Sequence, residues 1–372
     1  MTDGGGAPPA PMDVAGRIDR LRPAIEGAGC DGLLVTSLVN VRYLTGFTGS
    51  AALVLVTPDE VLFVSDGRYG GQAEEQLAAA GVGARIEITG TGQREVLQAA
   101  ASGLDRLGLE AAAVTWAQQR RYDEEWFPAA DLVATNGLVE ALRIVKDEGE
   151  VARIEAAAHL ADAALAEVRP LLLERPTERQ FGLALDTAIC RLGADGTSFE
   201  TIVASGPNGA KPHHRPSERR VGEGDLVVVD FGARVDGYCS DMTRTLMVGD
   251  PSPAQRRMLD VVAASQQAGV DAVRAGALTA DVDAACRAVI AEAGWGEAFV
   301  HGTGHGVGLQ IHEDPRVAAT ATATLAAGHV VTVEPGVYLP DHGGVRVEDT
   351  VVVTDEGCRT LTLAPKEPLV AA

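Results

Sequence analysis

Cysteine, histidine and aromatic residues are all scarce in this sequence. Its 372 residues include 5 cysteines and 8 histidines, and only 4% of them are aromatic. The cysteines are odd in number and widely separated, without a CxxC or Cys–His spacing, so neither a disulfide framework nor a thiolate metal site is expected. This cysteine usage favours the reducing cytoplasm. Because aromatic residues are few, Ala, Val and Leu must supply most of the packing.

Basic residues and long apolar runs are also lacking. The formal net charge is −21 at pH 7, which argues against nucleic acid or an anionic membrane surface as a partner. No run of 18 apolar residues occurs, so no membrane span is expected. The N-terminal stretch MTDGGGAPPAPM lacks the basic and apolar regions of a signal peptide. Residues 1–12 are therefore predicted to be a disordered tail.

Residues 13–140 alternate short apolar runs with helical stretches. DGLLVTS, AALVLVTP and VLFVSDG are predicted strands bounded by Gly, Pro and Asp. RIDRLRPAIEGAG and REVLQAAASGL are predicted amphipathic helices that end at Gly. The interleaving predicts a smaller mixed α/β domain, followed by a boundary near residues 140–146.

Residues 145–366 repeat one order of elements twice, and each half is two helices followed by a strand pair. Asp147 and Glu150 form a predicted capping box at the first helix, and Ser252 and Pro253 are the predicted N-cap and N1 of the third. The predicted helices are 147–169, 177–193, 252–275 and 279–294, and the predicted strands are 226–233, 238–247, 329–334 and 345–353. The pattern predicts an α+β domain in which both halves join one curved antiparallel sheet with the helices outside.

The first strand pair contains Asp230 and Asp241 inside predicted strands, where Asp is normally depleted. Asp236-Gly237 is a hairpin turn signal between apolar runs. In that register Asp230 faces Thr243, and Asp241 becomes its diagonal neighbour on one face. Two such carboxylates repel each other and lose hydration unless something neutralises them. The alternative is that one or both point to solvent on an edge strand.

The second strand pair adds Glu334, after HVVTV, and Glu348, between VRV and DTVVV. Four converging carboxylates require cations, and four acids with a histidine suit two divalent metal ions held about 3.5–4 Å apart. Because sulfur ligands are nearly absent, Mn²⁺ or Co²⁺ is favoured over a structural Zn²⁺.

The segment HGTGHGVGLQIHEDP, residues 301–315, holds three of the histidines among glycines. One imidazole would complete the metal site, and the others would be free for proton transfer or for polarising a carbonyl group. A second segment, ASGPNGAKPHHRPSERR, is a loop by composition and carries His213 and His214. It is interpreted either as a plain surface loop or as a loop that places His213 over the metals. The remaining histidines, His159, His329 and His342, are interpreted as structural or surface residues.

These motifs resemble the pita-bread metallopeptidases, which include methionine aminopeptidase, aminopeptidase P, prolidase and creatinase. The resemblance covers roughly residues 145–355 and implies a pita-bread fold with pseudo-twofold αα-hairpin repeats. It rests on VVVDFG, SDMTRT, GTGHGVG, VEPGVY and RVEDT in that order. Carried over residue by residue, the resemblance implies that two metal ions are bound by Asp230, Asp241, His305, Glu334 and Glu348.

The N-terminal sequence indicates which branch of this family the chain resembles. LVNVRYLTGFTGSAALVLVT and FVSDGRYGGQA are similar to the amino domain of aminopeptidase P, prolidase and creatinase, which methionine aminopeptidase lacks. The resemblance therefore implies a creatinase-like N-terminal domain. The complete ligand set argues against a creatinase, and against relatives that use the fold only for binding.

The resemblance also implies roles for further residues. Glu334 would act as general base on a metal-activated water, and His213 and His312 would hydrogen-bond the scissile carbonyl region. His301 would contact substrate, and Arg346 would hold an acid of the site or bind a substrate carboxylate, unless it is an ordinary cross-strand ion pair. Many prolidases have Gly where this chain has His214, which leaves the contacts of that loop open.

The predicted function is a cytoplasmic exopeptidase that uses two metal ions, with Mn²⁺ preferred and Co²⁺ or Zn²⁺ possible. Its substrates would be small peptides with proline in second position, as for aminopeptidase P. The alternatives are a strict Xaa-Pro dipeptidase (prolidase), a non-catalytic binding protein on the same fold and a creatinase-like hydrolase. The resemblance further implies a homodimer.

Overall fold

The structure is a computed structural model that describes residues 10–370. The described residues form two compact units, one from Met12 to Arg143 and the other from Ile144 to residue 370 together with Ala10 and Pro11. Most of the predicted tail, residues 1–9, lies outside the described residues. The carbonyl of Ala10 accepts a hydrogen bond from the Arg153 guanidinium at 2.9 Å.

The N-terminal unit is built on one mixed six-stranded sheet with the order β4-β3-β2-β1-β5-β6. Its strands are β1 (Gly32–Val35), β2 (Leu53–Val56), β3 (Val61–Ser65), β4 (Arg85–Ile88), β5 (Arg106–Glu110) and β6 (Asp131–Thr135). Its helices are α1 (Arg17–Gly27), α2 (Leu38–Thr45), α3 (Gly70–Ala79), α4 (Gln93–Ala100), α5 (Trp116–Arg121) with a π-helical turn at Tyr122–Trp126, and α6 (Leu138–Ile144). The first three strands are antiparallel neighbours, and β4, β5 and β6 join in parallel. The predicted mixed α/β domain is confirmed.

The C-terminal unit contains the four predicted long helices. They are α7 (Glu148–Val168), α8 (Glu178–Arg191), α9 (Pro253–Ala272) and α10 (Thr279–Glu292), and short 3₁₀ helices occupy Arg169–Glu174, Gly206–Ala210 and Gly296–Ala298. The capping box of Asp147 and Glu150 is present, as is the Ser252 N-cap before Pro253. Each cap satisfies backbone N–H groups that have no partner within the helix, which explains why these helices begin where the sequence predicted.

The strands of this unit form several small sheets. They are β7 (Gly196–Thr197), β8 (Ile202–Ser205), β9 (Leu226–Phe231), β10 (Ala233–Val235), β11 (Tyr238–Cys239), β12 (Met242–Met247), β13 (Gly304–Gly306), β14 (Glu313–Val317), β15 (Val330–Val333), β16 (Gly336–Leu339), β17 (Gly343–Arg346), β18 (Asp349–Val353) and β19 (Cys358–Thr360). The sheet orders are β11-β10-β7, β12-β9-β8, β14-β13-β15-β18-β19 and β16-β17. The expectation of one curved antiparallel sheet is therefore wrong, because both hairpins break where their acids stand.

The first hairpin turns at Asp236-Gly237, as predicted. Both residues have positive φ, 46° and 75°, as a two-residue turn of this type requires. Asp230 pairs with Thr243 in the ladder of β9 and β12, which confirms the predicted register. The same register puts Gly232 opposite Asp241 at the break. A Cβ on Gly232 would lie 1.9 Å from the carbonyl oxygen of Ser240, so only glycine fits there.

The second hairpin is built in the same way. Val333 pairs with Asp349 in β15 and β18, and Gly336 pairs with Arg346 in β16 and β17. Carried across the break, that register places Glu334 opposite Glu348. Each half therefore presents its acids where its hairpin bends.

Two apolar clusters support the two hairpins. One joins side chains of α7 and α8 to β9 and β12, and the other joins α9 and α10 to β15, β17 and β18. The repeated order of two helices and a strand pair is confirmed. Among residues 10–370, no helix combines the length and the apolar character needed to cross a bilayer.

Candidate metal centre

Three carboxylates from the two hairpins converge at the breaks. Asp230 lies near the end of β9, Asp241 lies just before β12, and Glu348 lies just before β18. One oxygen atom from each lies within 4.8 Å of the others. Asp241 is 5% exposed and Glu348 is 1% exposed. The alternative, in which Asp230 or Asp241 points to solvent from an edge strand, is wrong for Asp241, and only 14% of the Asp230 side chain is exposed.

Other groups of the protein neutralise or hydrogen-bond only some of the carboxylate oxygen atoms of this cluster. Asp230 Oδ1 and Glu348 Oε1 are buried without a hydrogen-bond partner among the described residues. Burial, together with the neighbouring carboxylates, raises the pKa values of Asp241 and Glu348 well above their usual range. Buried oxygen atoms that lack donors and face one another have the chemistry of a cation site.

His305, on β13, turns an imidazole nitrogen toward the acids. Its Nδ1–H donates to the carbonyl of Gly306 at 3.0 Å, which leaves Nε2 as the unprotonated nitrogen. That nitrogen lies 3.5 Å from Asp241 Oδ2 and 3.4 Å from Glu334 Oε1. Burial lowers the pKa of His305 to about 4, so the ring is neutral at pH 7. Nε2 then faces carboxylate oxygen atoms with a lone pair, an arrangement that a metal ion between them stabilises.

Glu334 follows β15 and completes the acid cluster. Its Oε1 accepts a hydrogen bond from the Thr332 hydroxyl at 3.3 Å. Burial raises the pKa of Glu334 to about 8, although the nearby Arg346 guanidinium opposes the shift. In the protein without bound cations this group therefore exchanges its proton near neutral pH.

Arg346 holds Asp230 in place from the last position of β17. Its Nη2 donates to Asp230 Oδ2 at 2.7 Å, and its Nη1 donates to the Tyr338 hydroxyl at 2.7 Å. Its Nε donates to the Thr243 hydroxyl at 3.0 Å, and Nη1 also reaches the Pro212 carbonyl at 3.3 Å. The guanidinium is buried and forms an ion pair with Asp230, as the alternative of a cross-strand ion pair expects, and it also binds Tyr338, Thr243 and Pro212.

His301 lies behind the cluster and bonds to Tyr338. Its Nδ1–H donates to the Gly302 carbonyl at 2.8 Å, so Nε2 accepts from the Tyr338 hydroxyl, also at 2.8 Å. Burial lowers the pKa of His301 to about 4 and raises that of Tyr338 to about 12. Sequence reasoning missed Tyr338, although it stands in VEPGVY and is diagonal to Arg346 across β16 and β17.

His312, His213 and Arg316 form the exposed rim of the centre. The His312 ring packs edge-on against that of His305, with centroids 4.4 Å apart. Burial lowers the pKa of His312, and the charges of His213 and Arg316 lower it further, although that of Asp230 opposes them. Pro212, the residue before His213, accepts a hydrogen bond from Arg346 at 3.3 Å, which places His213 near the centre. Sequence analysis did not single out Arg316, which stands on β14 four residues after His312.

Threonines between the two hairpins were also missed. Thr243 on β12 donates to Glu348 Oε2 at 2.7 Å, and Thr350 on β18 donates to the Asp241 carbonyl at 2.8 Å. Thr332 accepts from the His305 backbone N–H at 3.1 Å. For Thr243 and Thr350 the signal was present in SDMTRT and RVEDT, where a threonine stands two positions after the acid.

Fold and centre together define a two-unit hydrolase with a site for divalent cations, and the comparisons with known proteins agree. Residues 152–355 match the model of the family described as Metallopeptidase family M24. Residues 17–145 match the model described as Creatinase/Prolidase N-terminal domain. This chain belongs to the metallopeptidase family M24.

Known proteins similar to this chain include two solved structures. An Xaa-Pro dipeptidase from Bacillus anthracis is 40% identical with a TM-score of 0.91, and the match covers 95% of this chain and 99% of that one. An X-Pro aminopeptidase from Thermotoga maritima is 32% identical with a TM-score of 0.87 and the same coverage. A curated Xaa-Pro dipeptidase from Pyrococcus furiosus is 31% identical, over 95% of this chain and 99% of its own. The pita-bread catalytic fold and the creatinase-like N-terminal domain are confirmed.

Proposed function

We propose that this chain is a dinuclear-metal-dependent exopeptidase that hydrolyses the Xaa-Pro bond at the N-terminus of peptides, in the manner of aminopeptidase P. The observation that carries the proposal is the buried acid cluster, in which Asp230 and Glu348 each have an oxygen atom without a donor among residues 10–370. The names of the similar proteins, Xaa-Pro dipeptidase and X-Pro aminopeptidase, support the substrate class.

Five side chains would hold the metal ions, namely Asp230, Asp241, His305, Glu334 and Glu348. The set is rich in oxygen with one imidazole and no sulfur, which favours Mn²⁺, with Co²⁺ or Zn²⁺ as other occupants. Two bound divalent ions would lower the pKa of a shared water, so that hydroxide is available at neutral pH.

The remaining chemistry belongs to residues of the chain itself. Glu334 would take the proton of the attacking water and return it to the leaving nitrogen, because its carboxylate stands within the cluster, 3.4 Å from His305 Nε2. His213 and His312 would donate hydrogen bonds to the scissile carbonyl oxygen, and both stand at the exposed rim. His301 would contact the substrate through its ring, while both of its nitrogens stay bonded to Gly302 and Tyr338.

Arg346 would act on the reaction through Asp230. Its ion pair at 2.7 Å fixes one carboxylate oxygen and leaves Oδ1 directed to the cluster. A substrate carboxylate would have to compete with Asp230, Tyr338 and Thr243 for the same guanidinium. We therefore assign Arg346 the role of holding an acid of the site.

A strict Xaa-Pro dipeptidase is the second candidate, and Arg316 is the observation that favours it. This exposed side chain forms no ion pair with any described carboxylate, and its charge acts on both His305 and His312. A free cation beside the centre suits the carboxylate of a C-terminal proline. A longer peptide has no carboxylate at that position.

Hydrolysis of Ala-Pro and Ala-Pro-Ala tests both candidates on protein that has been stripped of metal and reloaded with Mn²⁺. Cleavage of the tripeptide supports the aminopeptidase, and cleavage of the dipeptide alone supports the dipeptidase. Asp241→Ala serves as the inactive control, because it removes a proposed metal ligand on which the hydrolysis of both peptides depends. If neither peptide is cleaved, the proposal fails in favour of a binding protein or of a hydrolase that acts on other substrates.

Three further features accompany this proposal. The unit boundary at Arg143 and Ile144 would also separate the creatinase-like domain, residues 13–140, from the catalytic domain, residues 145–366. The enzyme would be a cytoplasmic homodimer that acts on small peptides. Sedimentation equilibrium tests the dimer, and a monomer mass at micromolar concentration would contradict it.

A further inference from the structure

Glu178 is a fully buried carboxylate outside the metal centre. It is the first residue of α8, and its side chain has no exposed surface. The capping of this helix is done by other residues, because Thr177 and Gln180 form the capping box. Capping of α8 therefore does not explain why the Glu178 carboxylate is buried.

The donors to Glu178 come from three places along the loop of residues 205–217. At its beginning, Ser205 donates its N–H at 2.8 Å and its hydroxyl at 2.7 Å. Within it, Asn208 Nδ2 donates at 3.0 Å and His214 Nε2 lies at 2.9 Å. At its end, Ser217 donates its N–H at 3.0 Å and its hydroxyl at 2.5 Å. One carboxylate thus ties together both ends and the middle of the loop.

These bonds keep Glu178 ionised although it is buried. Burial alone would raise its pKa, but the hydrogen bonds from Ser217, Ser205 and Asn208 outweigh it and lower the pKa to about 2. An ionised carboxylate only accepts hydrogen bonds, so its partners must all present donors. His214 must then carry a proton on Nε2, which fixes the orientation of its ring.

The residues on both sides of His213 are held. Before it, the Pro212 carbonyl accepts from Arg346 at 3.3 Å, and after it, His214 bonds to Glu178. Earlier in the loop, Gly209 packs on β17, where a Cβ on Gly344 would lie 2.0 Å from the Gly209 carbonyl oxygen. The exposed His213 ring is therefore carried by a backbone that is fixed on either side.

We propose that Glu178 is a positioning residue that, through His214 and the two serines, keeps His213 at the rim of the metal centre. The role given to His213 in the proposed function is a premise of this inference. A misplacement of about 1 Å costs up to about 100-fold in rate, so the support of one donor has a measurable effect. His214 belongs to this support and does not reach over the metals.

The test is a double-mutant cycle on the Mn²⁺-loaded enzyme with Glu178→Gln and His213→Ala. Glutamine has nearly the same shape, but its amide N–H group would oppose the donors of Ser205 or Ser217. We expect Glu178→Gln to lower kcat about tenfold with little change in KM. In the His213→Ala background the same change should lower kcat less than about twofold, because the residue it positions is absent.

Asp186→Asn is the matched control for this cycle. Asp186 is a carboxylate on the same helix, and it accepts one hydrogen bond from Thr201 at 2.5 Å, outside the loop. This variant should retain wild-type kcat. An equal loss of kcat from Glu178→Gln with and without His213 would overturn the proposal, since it would mean a general structural effect.

Hydrogen–deuterium exchange separates this inference from the proposed function. Peptides that cover residues 205–220 should exchange faster in Glu178→Gln than in the parent protein, and peptides that cover residues 301–317 should be unchanged. This readout does not need a substrate, so it remains valid if neither proline peptide is cleaved. Unchanged exchange in residues 205–220 would refute the role of Glu178 in holding the loop.

Discussion

Asp241 shows at the scale of one residue why this centre is costly without cations. Its carboxylate is buried beside Glu348, Asp230 and Glu334, and each of these neighbours raises its pKa. Two ionised carboxylates at such a separation repel strongly in a medium from which water is excluded. Asp241 thus destabilises the metal-free fold, which fits its proposed role as a metal ligand.

We expect Asp241→Asn to stabilise the metal-free protein at pH 8 by about 1–3 kcal/mol, because it replaces a carboxyl group whose ionisation the buried cluster opposes with a neutral amide. The same change should abolish metal-dependent hydrolysis. Calorimetric unfolding after EDTA treatment, with Asp186→Asn as control, measures the first effect, and Ala-Pro hydrolysis measures the second. A less stable metal-free variant would show that Asp241 forms a needed structural hydrogen bond.

His312→Ala separates the rim from the ligands. The side chain is exposed and packs on His305 without bonding to the acids. We expect kcat to fall about 100-fold, the usual effect of losing one donor to a developing oxyanion. Metal content, measured by atomic emission, should stay at about two ions per chain. Loss of metal in this variant would place His312 among the ligands.

The sequence predicted the residues of the centre better than it predicted the contacts between them. The four acids among the five proposed ligands stand out because acids are rare in predicted strands. All five, His305 included, follow the order of a known motif set. Tyr338, Thr243 and Glu178 were missed because their side chains act on groups far along the chain. Glu178 and His214 are 36 positions apart, and no local pattern predicts such a hydrogen bond.

At the scale of the element, the ladder of each hairpin breaks at the point where its acids face the hairpin of the other half of the catalytic unit. Gly232 allows the first bend, because a Cβ there would meet the Ser240 carbonyl oxygen. The predicted register was correct because the Asp-Gly turn fixes the pairing from one end. The predicted single sheet was wrong because pairing and burial patterns do not show where a ladder breaks.

We expect Gly232→Ala to destabilise the protein by about 1–3 kcal/mol, since the methyl group forces β9 and β12 apart at the break. Gly357→Ala is the matched control, because a Cβ there would meet no atom within 4 Å among the described residues beyond its chain neighbours. Urea unfolding of both metal-loaded variants measures the difference. Equal stability of the two variants would mean that the hairpin can shift without cost.

At the scale of the whole molecule, the acid cluster couples stability to pH when metal is absent. Acids with raised pKa values stabilise the fold below their unfolded pKa, and this contribution is lost as pH rises through the folded value. For Glu334 the window runs from 4.5 to about 8. His301 and His305, with pKa lowered from 6.5 to about 4, act in the opposite direction, but mainly below pH 6.5.

We therefore expect the Tm of the EDTA-treated protein to fall by about 5 °C between pH 6.5 and 8, a window in which the acids dominate. Added Mn²⁺ should remove most of this decrease, because metal binding displaces the protons. Differential scanning calorimetry at the two pH values, with and without Mn²⁺, measures both effects. A Tm that rises with pH in the metal-free protein would contradict the direction of these pKa shifts.

The bond from Thr243 to Glu348 joins residues 105 positions apart, and this separation bears on how the protein folds and how long it lasts. A chain in which only the first hairpin has formed offers two aspartates to a cation and lacks the glutamates. Ions would thus be captured late, after both halves have docked, and would leave the refolding rate nearly unchanged. Their effect would fall on the unfolding rate, so that the lifetime of the native enzyme is set by how firmly it retains its metal.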